Sequence, residues 1–354
     1  MKVIQIVRKF GPFGGMEEYV YKLSHGLVQQ GVHVLVLCEE ASRKAQTGIR
    51  TVEMGITGKP DWISHFRFSK KVRQWLVENP DKDRIVHSHE RQSCHHLTTF
   101  HTTPFNFERR KTFLHKFSPR HILYEKLERR ELFGERVSFI VPVSGNLAQM
   151  IAKKHPKASA VLHRSIYPGV DLKLSNSSKR KAIPDKGGII GFIGKEWKRK
   201  GLPKAVEIWR ALRKKRSNLR LRVAGVTGED IDFMFEEDDD GYEILGLIEG
   251  RKSFYESIDL LIHPAQKEAF GMVITEALSM GVPVLCSSEC GACELMDSEH
   301  GSILSCAESI SKWVSEADGL LCRKTTIPVF ERSWEEVARE YISCYENISN
   351  GKYS

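Results

Sequence analysis

Short apolar runs alternate with amphipathic helical patterns along the chain. At the start, an apolar run at 3–7 leads into a glycine-rich loop, a helical pattern at 16–30 and a second apolar run at 32–37. The same order begins again with the apolar run at 188–194. Repeated strand–helix–strand units are typical of parallel sheets covered by helices. The pattern therefore predicts an α/β protein with two Rossmann-like, doubly wound parallel-sheet domains.

A polar, basic stretch separates the two halves of this pattern. The chain has 354 residues, which is enough for two domains that each bury a core of their own. We expect a first domain at 1–172, a linker at 173–187 and a second domain at 188–330. The remaining segment, 331–354, carries the apolar spacing of an amphipathic helix.

The stretch at 257–294 combines a strand, a loop and a helix. An apolar run at 258–262 predicts a buried strand, and helical spacing begins at Gly271. The first amides of a helix have no partner within the helix and lie at the positive end of its dipole. The backbone at Phe270, Gly271 and Met272 therefore predicts a receptor for phosphate oxygens.

Two glutamates flank this helix start, Glu268 in the loop and Glu276 one turn into the helix. Carboxylates accept hydrogen bonds from paired hydroxyl groups, such as those of a sugar. The alternative is that both are ordinary surface glutamates in water. The two residues alone do not distinguish a sugar site from a solvated surface.

Residues 263–284, HPAQKEAFGMVITEALSMGVPV, resemble the Glu-x7-Glu motif of the retaining glycosyltransferases of family 4, which have the GT-B fold. In that family the first glutamate contacts the donor sugar, the second holds the ribose hydroxyls, and the amides between them bind the diphosphate. The resemblance implies these roles for Glu268, Glu276 and the backbone of 270–272. It also implies that the final helix crosses back onto the first domain.

Three basic residues follow the first strand of the second domain: Lys195, Arg199 and Lys200. By themselves they are typical of a solvated loop. Their spacing resembles the family's G-R-x4-K-G signature, with Lys195 at the arginine position and Lys200 at the lysine position. The resemblance implies that these cations bind the donor and neutralise its diphosphate, although a lysine at 195 lacks the bidentate geometry of arginine.

The glycine loop FGPFGG at 10–15 predicts a second ligand-binding turn. Gly14 and Gly15 indicate a loop too tight for side chains, with its amides at the crevice above the strand ends. The spacing is not the G-x-G-x-x-G of a dinucleotide site. The loop resembles the family's GGxE segment, which implies that Gly15 binds the donor and that Gly14 and Glu17 lie on the acceptor side.

His101, in the sequence TTFHTTPF, resembles a histidine that lines the active-site cleft in the family. The resemblance makes His101, Lys200 and Glu268 the candidate catalytic residues. Other histidines close in sequence raise the alternative of a metal site, but their spacing fits no standard zinc pattern. These histidines are His87, His89, His95 and His96.

Charge is distributed unevenly along the chain. Residues 1–180 contain 31 Lys and Arg against 16 Asp and Glu, whereas the rest contains 23 against 29. The most basic part, 105–136, mixes cations with aromatic side chains, which predicts a membrane-surface or anionic-acceptor patch with Arg109 and Arg110 as acceptor-side candidates. The alternative is a solvated pair of helices. Because no recognition motif for nucleic acid is present, we expect no nucleic-acid partner.

No metal or other cofactor is expected. The pair Cys290 and Cys293 has no second ligand pair, and the acidic run at 236–240 is interpreted as a solvated loop. The eight scattered cysteines are typical of reduced thiols. No apolar run is long enough to span a membrane, and the first one is too short for a signal peptide. We expect a cytoplasmic protein, with peripheral attachment to the inner face of the plasma membrane.

These features together predict a retaining glycosyltransferase. The glycine loop, the basic aromatic segment and the Glu-x7-Glu motif look most like the bacterial lipopolysaccharide-core glucosyltransferase branch. The resemblance implies transfer of a hexose from a nucleotide-diphosphate sugar, with UDP-glucose as the first choice. It also implies a lipopolysaccharide-core or other anionic cell-envelope glycan as acceptor. The alternatives are another GT-B enzyme, such as a sugar-nucleotide epimerase or a phosphorylase, and a non-enzymatic basic protein that binds membranes or nucleic acid.

Overall fold

A computed structural model describes most of the chain. The described residues are 1–42, 49–105, 118–171, 183, 185–237, 239–323 and 327–351. They form two compact units, one made of Met1–Gly169 with Ser333–Ser354 and the other of Val170–Arg332. Most of the linker predicted at 173–187 lies outside the described residues, as do the acceptor-side candidates Arg109 and Arg110.

The first unit is built on a six-stranded parallel sheet with the strand order β5-β3-β1-β6-β7-β8. A separate pair, β2 and β4, continues beyond the ends of β1 and β3. The strands are β1 Lys2–Ile6, β2 Lys9–Phe10, β3 His33–Cys38, β4 Glu40–Ala41, β5 Arg50–Glu53, β6 Arg84–Ser88, β7 Leu97–Phe100 and β8 Phe139–Pro142. The helices are α1 Gly15–Gln29, α2 Asp61–Glu78, α3 Pro119–Leu132 and α4 Gly145–Lys154.

The second unit repeats this plan with the parallel strand order β11-β10-β9-β12-β13-β14. Its strands are β9 Gly187–Ile193, β10 Asn218–Ala224, β11 Tyr242–Ile244, β12 Leu260–His263, β13 Val284–Ser287 and β14 Gly301–Leu304. Its helices are α5 Trp197–Lys200, α6 Leu202–Arg213, α7 Gly228–Ile231, α8 Lys252–Glu256, α9 Met272–Ser279 and α10 Ile310–Cys322. The predicted architecture of two Rossmann-like parallel sheets is therefore confirmed.

The strand predicted at 258–262 begins two residues later than its apolar run indicates. Asp259 uses its backbone amide to bind the carbonyl oxygen of Ile189, and its carboxylate accepts from the amide of the same residue. This side-chain contact takes the place of a ladder hydrogen bond. The regular ladder with β9 therefore starts at Leu260.

Helices cover the second sheet because its strands β12 and β13 are buried on both faces. In β12 and β13 every residue is buried, which is the pattern expected of a central parallel strand. Trp209 of α6 and Trp313 of α10 are fully buried in one cluster with the strand residues. Large aromatic side chains dominate the energetics of such a core.

The last helix, α11 Trp334–Ser349, belongs to the first unit. Ser333 begins it with a capping box, since its hydroxyl accepts from the amide of Glu336, whose side chain accepts from the amide of Ser333. The helix packs closely on α1. A β-carbon at Gly26 would lie only 2.7 Å from the carbonyl oxygen of Trp334. The predicted return of the final helix to the first domain is confirmed. In the described part of the chain, no helix is long and apolar enough to cross a membrane.

Replacement of Gly26 by alanine tests this close approach. We expect Gly26→Ala to destabilise the protein by about 1–3 kcal/mol, because the methyl group meets backbone atoms of Trp334. The matched control is Gly319→Ala in α10, where a β-carbon meets no atom within 4 Å. That change stabilises a helix by roughly 0.5–1 kcal/mol. Thermal denaturation followed by circular dichroism measures both, and shifts of the same sign would contradict the helix contact.

Candidate active site

Two cations are brought to the carboxyl end of β9 by a short turn of helix, α5. Gly194 follows β9, and a β-carbon at this position would lie 2.4 Å from Cδ of Lys200. The absence of a side chain therefore lets the stem of Lys200 lie against the strand end. Gly201 then turns the chain with φ +84°, and its α-carbon approaches the carbonyl oxygen of Pro264 so closely that only glycine fits. This approach joins α5 to the loop after β12.

Glu268 is held by these cations. Its Oε2 atom accepts a hydrogen bond from Nη1 of Arg199 at 3.0 Å and lies 3.6 Å from Nζ of Lys200. Only 14% of the Glu268 side chain is exposed, so water screens these charges weakly. In the described part of the chain, no hydrogen bond or ion pair reaches Oε1. Of the three basic candidates, Arg199 and Lys200 are brought to Glu268, whereas Lys195 is exposed.

A fully buried histidine completes this group, and the sequence pattern did not identify it as functional. His263 ends β12, and its Nε2 atom lies 3.9 Å from Oε2 of Glu268. Burial lowers the pKa of His263 well below its usual value, and the charges of Lys200 and Arg199 act in the same direction. His263 is therefore neutral. The only sequence signal was its place at the end of an apolar strand.

Backbone hydrogen bonds fix the loop that carries Glu268. The amide of Glu268 donates to the carbonyl oxygen of Glu289, and the amide of Gly291 donates to the carbonyl oxygen of Glu268. The amide of Ala292 donates to the carbonyl oxygen of Phe270. The segment between the two cysteines of the C-x-x-C pair therefore supports the candidate site through its backbone. All eight cysteines are free thiols.

Helix α9 begins directly after this loop. Gly271 is its N-cap with φ +94°, a conformation that favours glycine. A β-carbon at Gly271 would lie 3.3 Å from Cγ of Glu268, so the helix start and the carboxylate are neighbours. The first amide of the helix belongs to Met272. The predicted anion receptor thus lies beside Glu268.

Glu276, the second glutamate of the motif, is buried within the second unit. Its side chain is 4% exposed, which excludes the alternative of a solvated surface residue. Oε2 accepts a hydrogen bond from the hydroxyl of Tyr255 at 2.6 Å, and Oε1 pairs with Arg251 at 3.1 Å. Both partners come from α8 and the residue before it. The sequence does not predict Tyr255 and Arg251 as partners of Glu276, because nothing in their local sequence connects them to the motif.

The glycine loop at the start of α1 agrees only partly with its prediction. A β-carbon at Gly14 would lie 2.6 Å from a carboxylate oxygen of Glu17, so these two acceptor-side candidates are in contact. Among the described residues, a β-carbon at Gly15 would meet no atom within 4 Å. At this position, the first residue of α1, the loop is therefore not too tight for a side chain.

His101 follows β7 at the carboxyl edge of the first sheet and is held in one tautomer. Burial lowers its pKa to about 3 and that of His89 well below the usual value, so both rings are neutral. Nε2 of His89 lies 2.6 Å from Oε1 of Gln5, which can only accept, so this nitrogen carries the proton. Nδ1 of His89 must then accept from Nε2 of His101 at 2.9 Å. Nδ1 of His101 is left as a hydrogen-bond acceptor.

The final helix contacts this chain of hydrogen bonds, from Gln5 through His89 to His101, with two buried tyrosines. The side-chain Nε2 of Gln5 donates to the hydroxyl of Tyr345 at 3.2 Å, and Tyr345 in turn contacts Nδ1 of His87 at 2.7 Å. Nε2 of His87 contacts Thr99 at 2.7 Å, and Thr99 contacts the hydroxyl of Tyr341 at the same distance. The histidines considered as metal ligands therefore bind other protein groups.

Other polar clusters also find partners within the protein. In the acidic run at 236–240, Asp239 accepts from Arg210 with both carboxylate oxygens. The interpretation of this run as solvated is wrong for Asp239, because Arg210 fixes it. Throughout the described ranges, no three His, Cys, Asp or Glu side chains are grouped as a metal ion would require.

Removal of the Tyr345 hydroxyl tests the chain of hydrogen bonds that connects Tyr345 to His101. In Tyr345→Phe the amide of Gln5 and Nδ1 of His87 lose a buried partner, which costs about 1–3 kcal/mol. We expect the side-chain amide of Gln5 to reorient, so that His101 becomes a mixture of tautomers. ¹⁵N NMR of the ring nitrogens detects this mixture. The control is Tyr21→Phe, since the hydroxyl of Tyr21 makes no hydrogen bond within the described chain. A single unchanged tautomer in Tyr345→Phe would contradict this chain of hydrogen bonds.

Comparisons with known proteins agree with this arrangement. Residues 13–174 match the family described as Glycosyltransferase Family 4, and residues 175–321 match the family described as Glycosyl transferases group 1. Lipopolysaccharide glucosyltransferase WaaG of Escherichia coli (strain K12) is 24% identical in an alignment of 359 positions. The alignment covers 94% of this chain and 92% of WaaG.

Solved structures share the fold over almost the whole chain. The crystal structure of WaaG, a glycosyltransferase involved in lipopolysaccharide biosynthesis, has a TM-score of 0.79 at 18% identity and covers 99% of this chain and 98% of its own. Anabaena HepE in complex with UDP and glucose has a TM-score of 0.67 at 15% identity, with coverages of 98% and 100%. The chain therefore belongs to the family 4 glycosyltransferases, has their GT-B fold and resembles their lipopolysaccharide glucosyltransferase branch.

Proposed function

We propose that this glycosyltransferase moves a hexose from a UDP-sugar, with UDP-glucose as the first choice, to a lipopolysaccharide-core or other cell-envelope glycan. The relative WaaG is named a lipopolysaccharide glucosyltransferase, and HepE was crystallised with UDP and glucose. The observation that carries the proposal is the group formed by Glu268, Arg199 and Lys200 beside the start of α9. It combines two cations for a diphosphate with a carboxylate for a sugar.

Binding of the donor would exchange one anion for another at the two cations. Without the donor, Glu268 balances the charges of Arg199 and Lys200 through Oε2. A diphosphate carries more charge and offers bidentate acceptors to a guanidinium group, so it competes effectively for both cations. Glu268 would then accept from hydroxyl groups of the sugar, which Oε1 can also do. The cations would stabilise the negative charge that develops on the leaving diphosphate.

The amides at 270–272 and the side chain of Glu276 would complete the donor site. The helix start supplies N–H groups and a partial positive charge for the phosphates. Tyr255 and Arg251 orient the carboxylate of Glu276 for the ribose hydroxyls. Because positive side chains and amides supply the charge stabilisation, the proposal includes no metal ion or other cofactor.

His101 would act as a neutral acceptor in this reaction. With a pKa of about 3 it does not protonate a leaving group near neutral pH. Its Nδ1 atom would accept from a hydroxyl of a substrate. In a front-face reaction with retention, an oxygen of the leaving phosphate would take the proton of the attacking hydroxyl, so no carboxylate nucleophile is needed.

The acceptor is proposed to bind the basic first half of the chain, with Gly14 and Glu17 near the strand ends. The excess of cations at 1–180 suits an anionic, phosphorylated glycolipid. The same charge would favour peripheral attachment to the cytoplasmic face of the plasma membrane.

Two isosteric variants test the donor site. Glu276→Gln removes charged hydrogen bonds to the ribose, which lowers the binding free energy by roughly 3 kcal/mol. We therefore expect KM for UDP-glucose to rise by about 100-fold. Glu268→Gln acts at the transferred sugar, so kcat should fall more than KM changes. The assay follows transfer of labelled glucose from UDP-glucose to purified lipopolysaccharide core. Thermal shift by UDP-glucose, about 2.7 kcal/mol of stabilisation at 100-fold excess over Kd, reports donor binding.

The matched control is Glu256→Gln, an exposed glutamate of α8 that pairs with Lys252. Unchanged kinetics in all three variants would contradict the donor site. Conversion or hydrolysis of UDP-glucose without an acceptor would instead favour an epimerase or a phosphorylase. Binding to vesicles or RNA without turnover, unaffected by Glu268→Gln, would favour a non-enzymatic basic protein.

A further inference from the structure

A cavity of about 720 Å³ lies in the first unit, away from the carboxyl edge of its sheet. Arg84, the first residue of β6, and His96, the residue before β7, both line it. It therefore opens at the amino-terminal edge of the parallel sheet. His101 follows the other end of β7, so the cavity and His101 lie at opposite edges of the first sheet.

The lining of this cavity is strongly basic. Its acidic residues are Asp81 and Glu135, and Asp81 is already paired with Lys2 at 3.0 Å. The cationic lining residues are Arg73, Lys82, Arg84, Arg130 and Arg136. Within the described part of the chain, none of these five side chains forms an ion pair with a carboxylate. With five cations against two carboxylates, the lining of the cavity keeps a net positive charge.

Two of the arginines are fixed by neutral groups. Arg84 donates to the carbonyl oxygen of Leu76 at 2.6 Å, and Arg130 donates to the hydroxyls of Ser69 and Ser93 at 3.1 and 3.0 Å. Burial lowers the pKa of both arginines from its ordinary value. These contacts hold the guanidinium groups in place without neutralising them. Preorganised guanidinium groups are well suited to phosphate.

His96 adds an uncharged donor. Its Nδ1 atom accepts a hydrogen bond from the amide of Val86 at 3.0 Å. Burial lowers the pKa of His96, and the charges of Arg136 and Arg84 lower it further. The ring is therefore neutral with its proton on Nε2, the nitrogen that can donate to a ligand.

Apolar side chains form the rest of the wall. Leu76, Val77, Pro80 and Phe133 line the cavity, and Val77 and Phe133 are 72% and 41% exposed. Pockets for small molecules typically measure about 300–1,000 Å³ and combine apolar walls with a few polar groups. The volume and lining suit an organic molecule rather than a bare ion.

We propose that this basic cavity is a second ligand site, which binds an organic phosphate through Arg73, Arg84, Arg130 and Arg136. The arginines would hold the phosphate, His96 would donate to it, and the apolar wall would contact the carbon skeleton. The phosphate could belong to a soluble sugar phosphate or to a lipid headgroup, since both present the same charged group. The site is independent of the proposed donor site, which lies in the second unit.

Charge reversal at the two exposed arginines tests the proposal. Arg73→Glu and Arg136→Glu are compared with Lys70→Glu in α2 and Lys215→Glu in the second unit, which reverse a charge at exposed positions outside the cavity. Isothermal titration calorimetry with glucose 6-phosphate measures the soluble ligand, and sedimentation with phosphatidylcholine vesicles containing phosphatidic acid measures the headgroup. We expect the cavity variants to weaken binding of one probe by about tenfold or more, because each loses a charged contact.

The two probes separate the two sources of phosphate. Loss of glucose 6-phosphate binding in the cavity variants alone supports a soluble ligand, and loss of vesicle binding in these variants alone supports a headgroup. The thermal shift with UDP-glucose should remain unchanged in all four variants, which shows that the protein is folded and the donor site intact. Wild-type protein that binds neither probe, or equal losses in the cavity and control variants, would overturn the proposal.

Discussion

The ion pairs between Glu268 and two cations, Arg199 and Lys200, determine the form of the candidate active site. They join the loop after β12 to the short helix after β9, so two separate strand ends present their chemistry at one point. Opposite charges that are largely shielded from water attract strongly and are costly to separate unless another ion replaces one of them. A ligand with a diphosphate satisfies that condition, because its charge can replace that of Glu268 at both cations.

The supporting contacts are mostly backbone contacts. Close approach at Gly194 and Gly201 places the cations, and the amides of 291–292 hold the loop that carries Glu268. Such contacts do not depend on the chemistry of long side chains and leave the functional groups oriented toward the ligand. His101 differs, because its tautomer follows from side-chain hydrogen bonds made by His89 and Gln5.

The sequence predicted the two parallel sheets and the pairing of a helix start with Glu268, because both depend on local patterns. The period of the hydrophobic residues, the positions of glycines and the spacing of the motif can each be recognised within a sequence window of about twenty residues. The partners of Glu276 were not predictable in this way, since Tyr255 lies on another helix and Arg251 directly before that helix, and both reach Glu276 only in the folded unit. Gly15 shows the opposite error, because a glycine-rich motif indicated crowding where the structure is open.

The place of the final helix in the first unit has a consequence for how the protein is made. Gln5 and Tyr345 are hydrogen-bonded partners separated by 340 positions, and the whole second unit lies between them in the chain. On the ribosome, where domains generally fold as they emerge, the first sheet must wait without its closing helix while the second unit is synthesised. Only after α11 has emerged does the nascent protein acquire the contacts that set the protonation of His101.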